Sequence, residues 1–275
     1  MKTIIVPTDF SPVATNALHY AVDMAKKINA SVMLLHVYQV PVSFTDAPIV
    51  LVSIEDLRKA AEERIHKLKG EVEHLSSGVI KVYTETRLGN VADELENVCN
   101  KIHPFAVVMG TKGTSGMERV LFGSNTLTAI RHLTWPVICV PPGKTFGQGI
   151  SRIGFACDLK DVVATTPTSF IVDFVKTFDA ELHVLNVNIG VHAPDEEKPE
   201  QSVLLQTMLG EVKPEYHFIQ HHDIEEAINE FADNNNLDLI ISIPKKHKLL
   251  ENLFQTSSSK QLVYQSHVPV MCIHE

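Results

Sequence analysis

Glycines and small hydroxyl residues gather between positions 110 and 126 in a spacing that suits a phosphate group. The stretch reads Gly110, two residues, Gly113, nine residues, then Gly123-Ser124-Asn125-Thr126. Glycine lets a backbone come close to an anion, and the free N–H groups at a helix start favour negative charge. A plain turn-rich loop between a strand and a helix is the alternative, and two glycines alone do not separate the two. The full spacing and its setting point to a nucleotide site. Upstream lies the apolar run 105–109, which reads as a buried parallel strand, and downstream residues 126–133 have helical character.

The elements that must hold this stretch follow from the pattern on either side. Ile4-Ile-Val6 reads as a first strand ending at Pro7-Thr8-Asp9-Phe10-Ser11. A helix is expected over 12–29, with Ser11 as its cap and Pro12 in its first turn. Residues 31–37 form a second buried strand, and Ser53 and Asp56 start a long charged helix ending near Leu75. A third strand is expected over 79–84, a helix from Gly89-Asn90 to about Ile102, and a last strand over 136–140. Strands alternating with helices argue for a parallel sheet covered on both faces, with right-handed crossovers. Residues 143–149 read as a linker.

Beyond the linker the pattern begins again. Arg152-Ile-Gly-Phe-Ala-Cys-Asp158 answers residues 3–9, Glu181 to Val187 answers 31–37, and Pro269-Val-Met-Cys272 answers Pro136-Val-Ile-Cys139. Leu253-Phe254 answers Leu121-Phe122, which places Ser242 at Gly110, Lys245 at Gly113 and Gln255 at Gly123. The second copy has therefore lost every motif glycine and keeps only Asp158. On this comparison the glycines are not required by the fold, which moves them from structure toward ligand. The region 190–199 reads as a mobile loop.

Composition sets limits on function. The chain has 275 residues, 44% hydrophobic and 21% charged, the balance of a globular protein with two domains. No apolar run approaches a membrane span, and the N-terminus is too short in apolar residues for a signal peptide. Residues 1–150 carry 15 Lys and Arg against 14 Asp and Glu, and residues 151–275 carry 9 against 19. That excess argues against nucleic acid as a partner. Cys99, Cys139, Cys157 and Cys272 form no Cys-x-x-Cys pair and read as reduced, buried thiols of a cytoplasmic protein.

Over essentially its whole length the chain resembles the universal stress protein family in its tandem form. Val6-Pro-Thr-Asp-Phe-Ser11, Val108-Met-Gly-Thr-Lys-Gly113 and Arg119-Val-Leu-Phe-Gly-Ser124 carry the resemblance. It implies an α/β fold of two tandem doubly wound five-stranded parallel sheets, strand order 3-2-1-4-5, of the adenine nucleotide alpha hydrolase-like type. The expected domains are 1–144, with the intact motif, and 150–275, with a degenerate one. Such an order sets strands one and four side by side where the sheet reverses, the usual ligand position.

The resemblance further implies ATP as the ligand, with Mg or Mn on its phosphates. Asp9, flanked by Pro7 and Thr8, would lie at the adenosine end, and the backbone at Val37 would meet the adenine. Met109, Gly110, Gly113, Gly123, Ser124, Asn125 and Thr126 would surround ribose and phosphates. Asn125 departs from the family's frequent valine. A carboxylate repels phosphates, so a ribose hydroxyl or adenine N–H is the sensible partner of Asp9, although Asp9 also suits bracing its own loop. Lys112 and Arg119 read as solvated loop side chains, with added charge near the phosphates as the alternative.

No metal site is expected from the protein's own side chains. In His221-His222-Asp223 adjacent side chains should diverge, leaving Asp223 as a helix cap, and His36 and His183 read as residues late in their strands. The functional expectation is an ATP-binding stress-response protein, non-enzymatic or at most slowly hydrolytic, with a structural or signalling second half. Slow ATPase or transferase activity and a nucleotide-free interaction module are the alternatives. The glycine stretch lacks the lysine of a Walker A loop. The two last strands are expected to pair as an intramolecular pseudo-dimer, with room for a homodimer.

Overall fold

The computed structural model describes residues 1–40, 53–111, 124–189, 198–244 and 258–274. The first half contains β1 (Thr3–Pro7), α1 (Pro12–Ile28), β2 (Ser31–Tyr38), α2 (Ile54–Leu75), β3 (Val82–Leu88), α3 (Val91–Ile102), β4 (Ala106–Gly110), α4 (Ser124–His132) and β5 (Val137–Val140). The second contains β6 (Arg152–Ala156), α5 (Val162–Thr165), α6 (Thr168–Phe178), β7 (Glu181–Ile189), α7 (Lys198–Met208), β8 (Glu215–His221), α8 (Ile224–Asn234), β9 (Leu239–Ser242), α9 (Ser258–Gln265) and β10 (Val270–Cys272).

Caps fix the helix starts as their residue types suggest. Ser11 Oγ accepts from the Ala14 N–H, Ser53 Oγ from Asp56 and Asn90 Oδ1 from Ala92. The third strand begins three residues later than its apolar residues suggest. Its polar end, Thr84 to Leu88, pairs with β2 as far as Tyr38↔Leu88, so backbone pairing rather than apolarity sets its length.

Each half has the order 3-2-1-4-5, yet the halves do not form two separate sheets. The ten strands run β3-β2-β1-β4-β5-β10-β9-β6-β7-β8 in one sheet, with β5 and β10 antiparallel at its centre. The pairing of the two last strands thus occurs within one chain, through Val270↔Cys139, Met271↔Ile138 and Cys272↔Val137. All other strand pairs are parallel.

Alternating strand residues feed two cores, one per face. Ile4, Val6, Val32 and Leu34 join α1, α2 and α6 on one side, while Ile5, Leu35, Val107 and Cys139 join α3, α4, α8 and α9 on the other. Both cores run across the two halves. The connection at 141–151 is held down: Asn16 Nδ2 donates to Pro141 O and Lys144 O, and Phe146 is buried, edge-on to Tyr20 and beside Phe178.

Candidate nucleotide crevice at the ends of β1 and β4

The crevice opens because two neighbouring strands part. β1 pairs with β4 only through Ile4↔Ala106 and Ile5↔Val107. On their outer sides β1 stays paired with β2 to Pro7↔Leu35 and β4 with β5 to Gly110↔Val140. Past Ile5 and Val107 the backbone between β1 and β4 is therefore unpaired, at the point where the strand order reverses.

Asp9 sits at the mouth of this gap, solvent-exposed, in a tightly braced turn. Its Oδ1 accepts from the Ser11 N–H at 2.9 Å, and Phe10 N–H donates to Thr8 Oγ1 at 3.0 Å. Phe10 takes a left-handed φ of 63°. Its ring lies 4.6 Å from that of His36 and under the Arg64 guanidinium at 4.1 Å. His36 Nδ1 contacts Thr8 O at 2.8 Å. Partial desolvation by the surrounding turn works against ionisation of Asp9, but hydrogen bonds from Ser11 outweigh it and hold the carboxyl below its ordinary range.

The second half repeats this turn atom for atom with different side chains. Lys160 N–H donates to Asp158 Oδ1, Leu159 has φ 54°, Leu159 N–H donates to Cys157 Sγ, and Asn186 Nδ2 donates to Cys157 O. Cys157 stands in for Thr8 and Asn186 for His36. The turn is a property of the fold, and the bracing role of Asp9 is observed directly.

Gly110 has a packing reason of its own, which corrects the expectation that no motif glycine serves the fold. A Cβ placed there would lie 2.5 Å from both Val13 O and Val13 Cγ1, so the first turn of α1 fills the space. The second half carries a side chain at the corresponding position and has a break within its first helix. Pro167 separates the four-residue α5 from α6, and the residue opposite, Ser242, keeps a side chain. Pro167 is the visible sequence signal of that break.

The first turn of α4 closes the other side. Thr126 is buried, and its hydroxyl donates to Gly110 O at 3.3 Å, docking α4 on the end of β4. Asn125 is exposed, and Ser124 opens the helix. Met109 is buried beneath. On the β2 side, Leu35 O accepts from Thr8 N–H, so the N–H and C=O of Val37, two residues on, face the same way past the end of β1. Pro7, Thr8, Asp9, Val37, Met109, Gly110, Asn125 and Thr126 thus line one end of the sheet. Gly113 and Gly123, with Lys112 and Arg119, lie outside the described residues, as does nearly all of the 190–199 region.

Two histidine expectations need correction. His221 and His222 do not diverge: their rings stack at 4.3 Å, while Asp223 caps α8 by accepting from Glu226 N–H. His183 lies early in its strand, third in β7, and faces His217 of β8.

Comparison with known proteins agrees with this architecture. The family model described as "Universal stress protein family" matches residues 1–141 and again 150–274. Universal stress protein MJ0531 of Methanocaldococcus jannaschii is 33% identical over 147 residues, 52% of this chain and 84% of that protein. Universal stress protein G of Salmonella typhimurium is 30% identical over 144 residues, 50% of this chain and 98% of its own. A universal stress protein structure from Archaeoglobus fulgidus superimposes with TM-score 0.76 at 19% identity, covering 99% of this chain and 98% of that one. A second, from Pseudomonas aeruginosa, gives 0.66 at 11% identity, covering 99% and 93%. At those identities the structural likeness speaks for the fold alone. The double match by the family model, over nearly the full length, shows that the chain belongs to the universal stress protein family.

Proposed function

We propose that the first half binds one adenine nucleotide, ATP, in the crevice between β1 and β4, and that the second half does not. The parting of these two strands beyond Ile5 and Val107, with Asp9 at its mouth, carries the reading. The residues present fit the adenosine end well. Val37 offers an N–H and C=O that face the gap and are unpaired among the described residues, the pair of groups an adenine edge requires, and Asp9 offers an exposed carboxylate suited to ribose hydroxyls. The N-terminus of α4 at Ser124 favours an anion on the phosphate side, where Mg or Mn carried by the nucleotide would neutralise charge. Gly110 lines the same end of the sheet, and its lack of a side chain also serves the packing of α1.

The role assigned is binding, with hydrolysis at most slow, as part of a stress response in the cytoplasm. Isothermal titration of the full chain with ATP is expected to give one equivalent, weakened by Asp9→Ala and unaffected by Asp158→Ala. No uptake, or two equivalents, would sink the proposal. Nucleotide release measured beside the Asp9→Ala protein separates binding from turnover. One observation favours a second reading, an interaction module without obligatory nucleotide: the Asp9 turn recurs at Asp158, so it forms without the motif glycines. A homodimer, if formed, uses surfaces other than β5 and β10, which already pair with each other.

A further inference from the structure

We propose that the second half holds one divalent transition-metal ion of the zinc class between His183, His217 and Glu215. These residues come from adjacent strands, β7 and β8, where His183 pairs with Glu215 and Leu185 with His217. His183, Glu215 and His217 therefore project from the same face. His183 Nδ1 lies 3.1 Å from His217 Nε2 and 3.6 Å from Glu215 Oε2, and His217 Nε2 lies 3.9 Å from that same oxygen. Two ligand atoms on a tetrahedral zinc, each about 2.0–2.1 Å from the metal, stand about 3.3 Å apart. The histidine nitrogens are thus already near the required spacing. Glu215, whose side chain is 72% exposed, needs only a small movement to close the triangle.

Two further observations point to a cation. His183 is 8% exposed, and its Nε2 is buried with no hydrogen-bond partner among the described residues. That nitrogen lies 3.9 Å from Glu181 Oε2. If Nδ1 binds metal, Nε2 carries the proton and Glu181 becomes its acceptor, the carboxylate–histidine–metal arrangement that orients a ligating ring. The fold itself asks for none of this. In the first half the corresponding strand positions hold Met33, Tyr83 and Glu85, with Met33↔Tyr83 and Leu35↔Glu85 in the same register. Two imidazoles and one carboxylate select zinc-like ions over calcium or magnesium, which prefer oxygen. Three protein ligands leave a fourth position for water, and the ion would tie the outermost strand to its neighbour.

The test is calorimetric titration of the chelator-treated full chain with Zn²⁺, with Co²⁺ as a spectroscopic probe. One equivalent of Zn²⁺ is expected, together with visible Co²⁺ bands of low coordination symmetry. Glu215→Gln and His217→Gln, both outside the deep core, should each weaken binding by at least about tenfold, and Glu181→Gln by less. His222→Gln serves as the control for the neighbouring His221, His222 and Glu226 cluster and should leave binding unchanged. Absence of uptake overturns the proposal. So does uptake indifferent to both Glu215→Gln and His217→Gln, or lost only in His222→Gln.

Discussion

Gly110→Ala isolates the packing role of a residue that its motif assigns to ligand. The added methyl would sit 2.5 Å from Val13 O, 2.5 Å from Val13 Cγ1 and 3.0 Å from Val13 C. The Cγ1 contact can be relieved by a rotamer change, but the carbonyl belongs to the first turn of α1, which Ser11 and Pro12 hold in place. Overpacking against backbone costs about 1–3 kcal/mol, and the lost flexibility of the unfolded chain returns about 0.4–1 kcal/mol. A net loss of about 1–2 kcal/mol is expected, each kcal/mol lowering Tm by roughly 2–4 °C in a protein of this size. Val13→Ala in the same chain removes only the Cγ1 contact, so the double variant should recover part of the loss. The assay is urea unfolding followed by circular dichroism, without nucleotide. Stability of Gly110→Ala equal to that of the parent would refute the packing argument and return Gly110 to the ligand.

Two other outcomes follow from burial. Phe146→Ala should cost about 3–5 kcal/mol, because the ring is 6% exposed and touches Tyr20 in one half and Phe178 in the other; a denaturation midpoint unchanged from the parent would contradict it. Burial pushes the Cys99 and Cys272 thiols up to about 12 and Cys139 well above its ordinary value, whereas Cys157 is half-buried. Alkylation of the native chain near pH 8, read by mass spectrometry, should therefore label Cys157 alone, and a second native label would contradict the assignment.

Most of the fold was legible because the signals were local and repeated. Ser11-Pro12 and Ser53 announce helix starts that the structure keeps, and the recurrence of Pro-Val-x-Cys at 136 and 269 marks the two strands that meet at the centre of the sheet. What the sequence hid depends on contacts between distant residues. The packing role of Gly110 depends on the approach of Val13 in the first turn of α1, a residue far from it in the chain. His183 reads as an ordinary strand residue until strand register sets it beside Glu215 and His217, more than thirty residues away. The stretch 143–149 looks like a linker by its glycines, yet Phe146 and the Asn16 hydrogen bonds fix it to the core.

The duplicated chain separates what the fold imposes from what each half has added. Thr8 and Cys157 accept the same backbone N–H, His36 and Asn186 meet the same carbonyl, and Phe10 and Leu159 share a left-handed backbone that normally costs a side-chain-bearing residue about 1–2 kcal/mol. Three unlike pairs supporting one turn mean that the turn is imposed by the sheet and the helix after it, so bracing alone accounts for an aspartate at both Asp9 and Asp158. Ligand binding at Asp9 must then come from what differs around it. One difference is Gly110, packed against the first turn of α1 where the second half has Ser242, and another is the segment that carries Gly113 and Gly123 in one half and neither in the other. The same reasoning applied to β7 and β8 gives the opposite assignment. There the second half has gained chemistry, His183, Glu215 and His217 where the first has Met33, Tyr83 and Glu85. A buried imidazole nitrogen with no partner among the described residues has a cost that packing does not return. The two halves, built on one strand order, have diverged at different places on their sheets, and a nucleotide titration with Asp9→Ala and a metal titration with Glu215→Gln address those places independently.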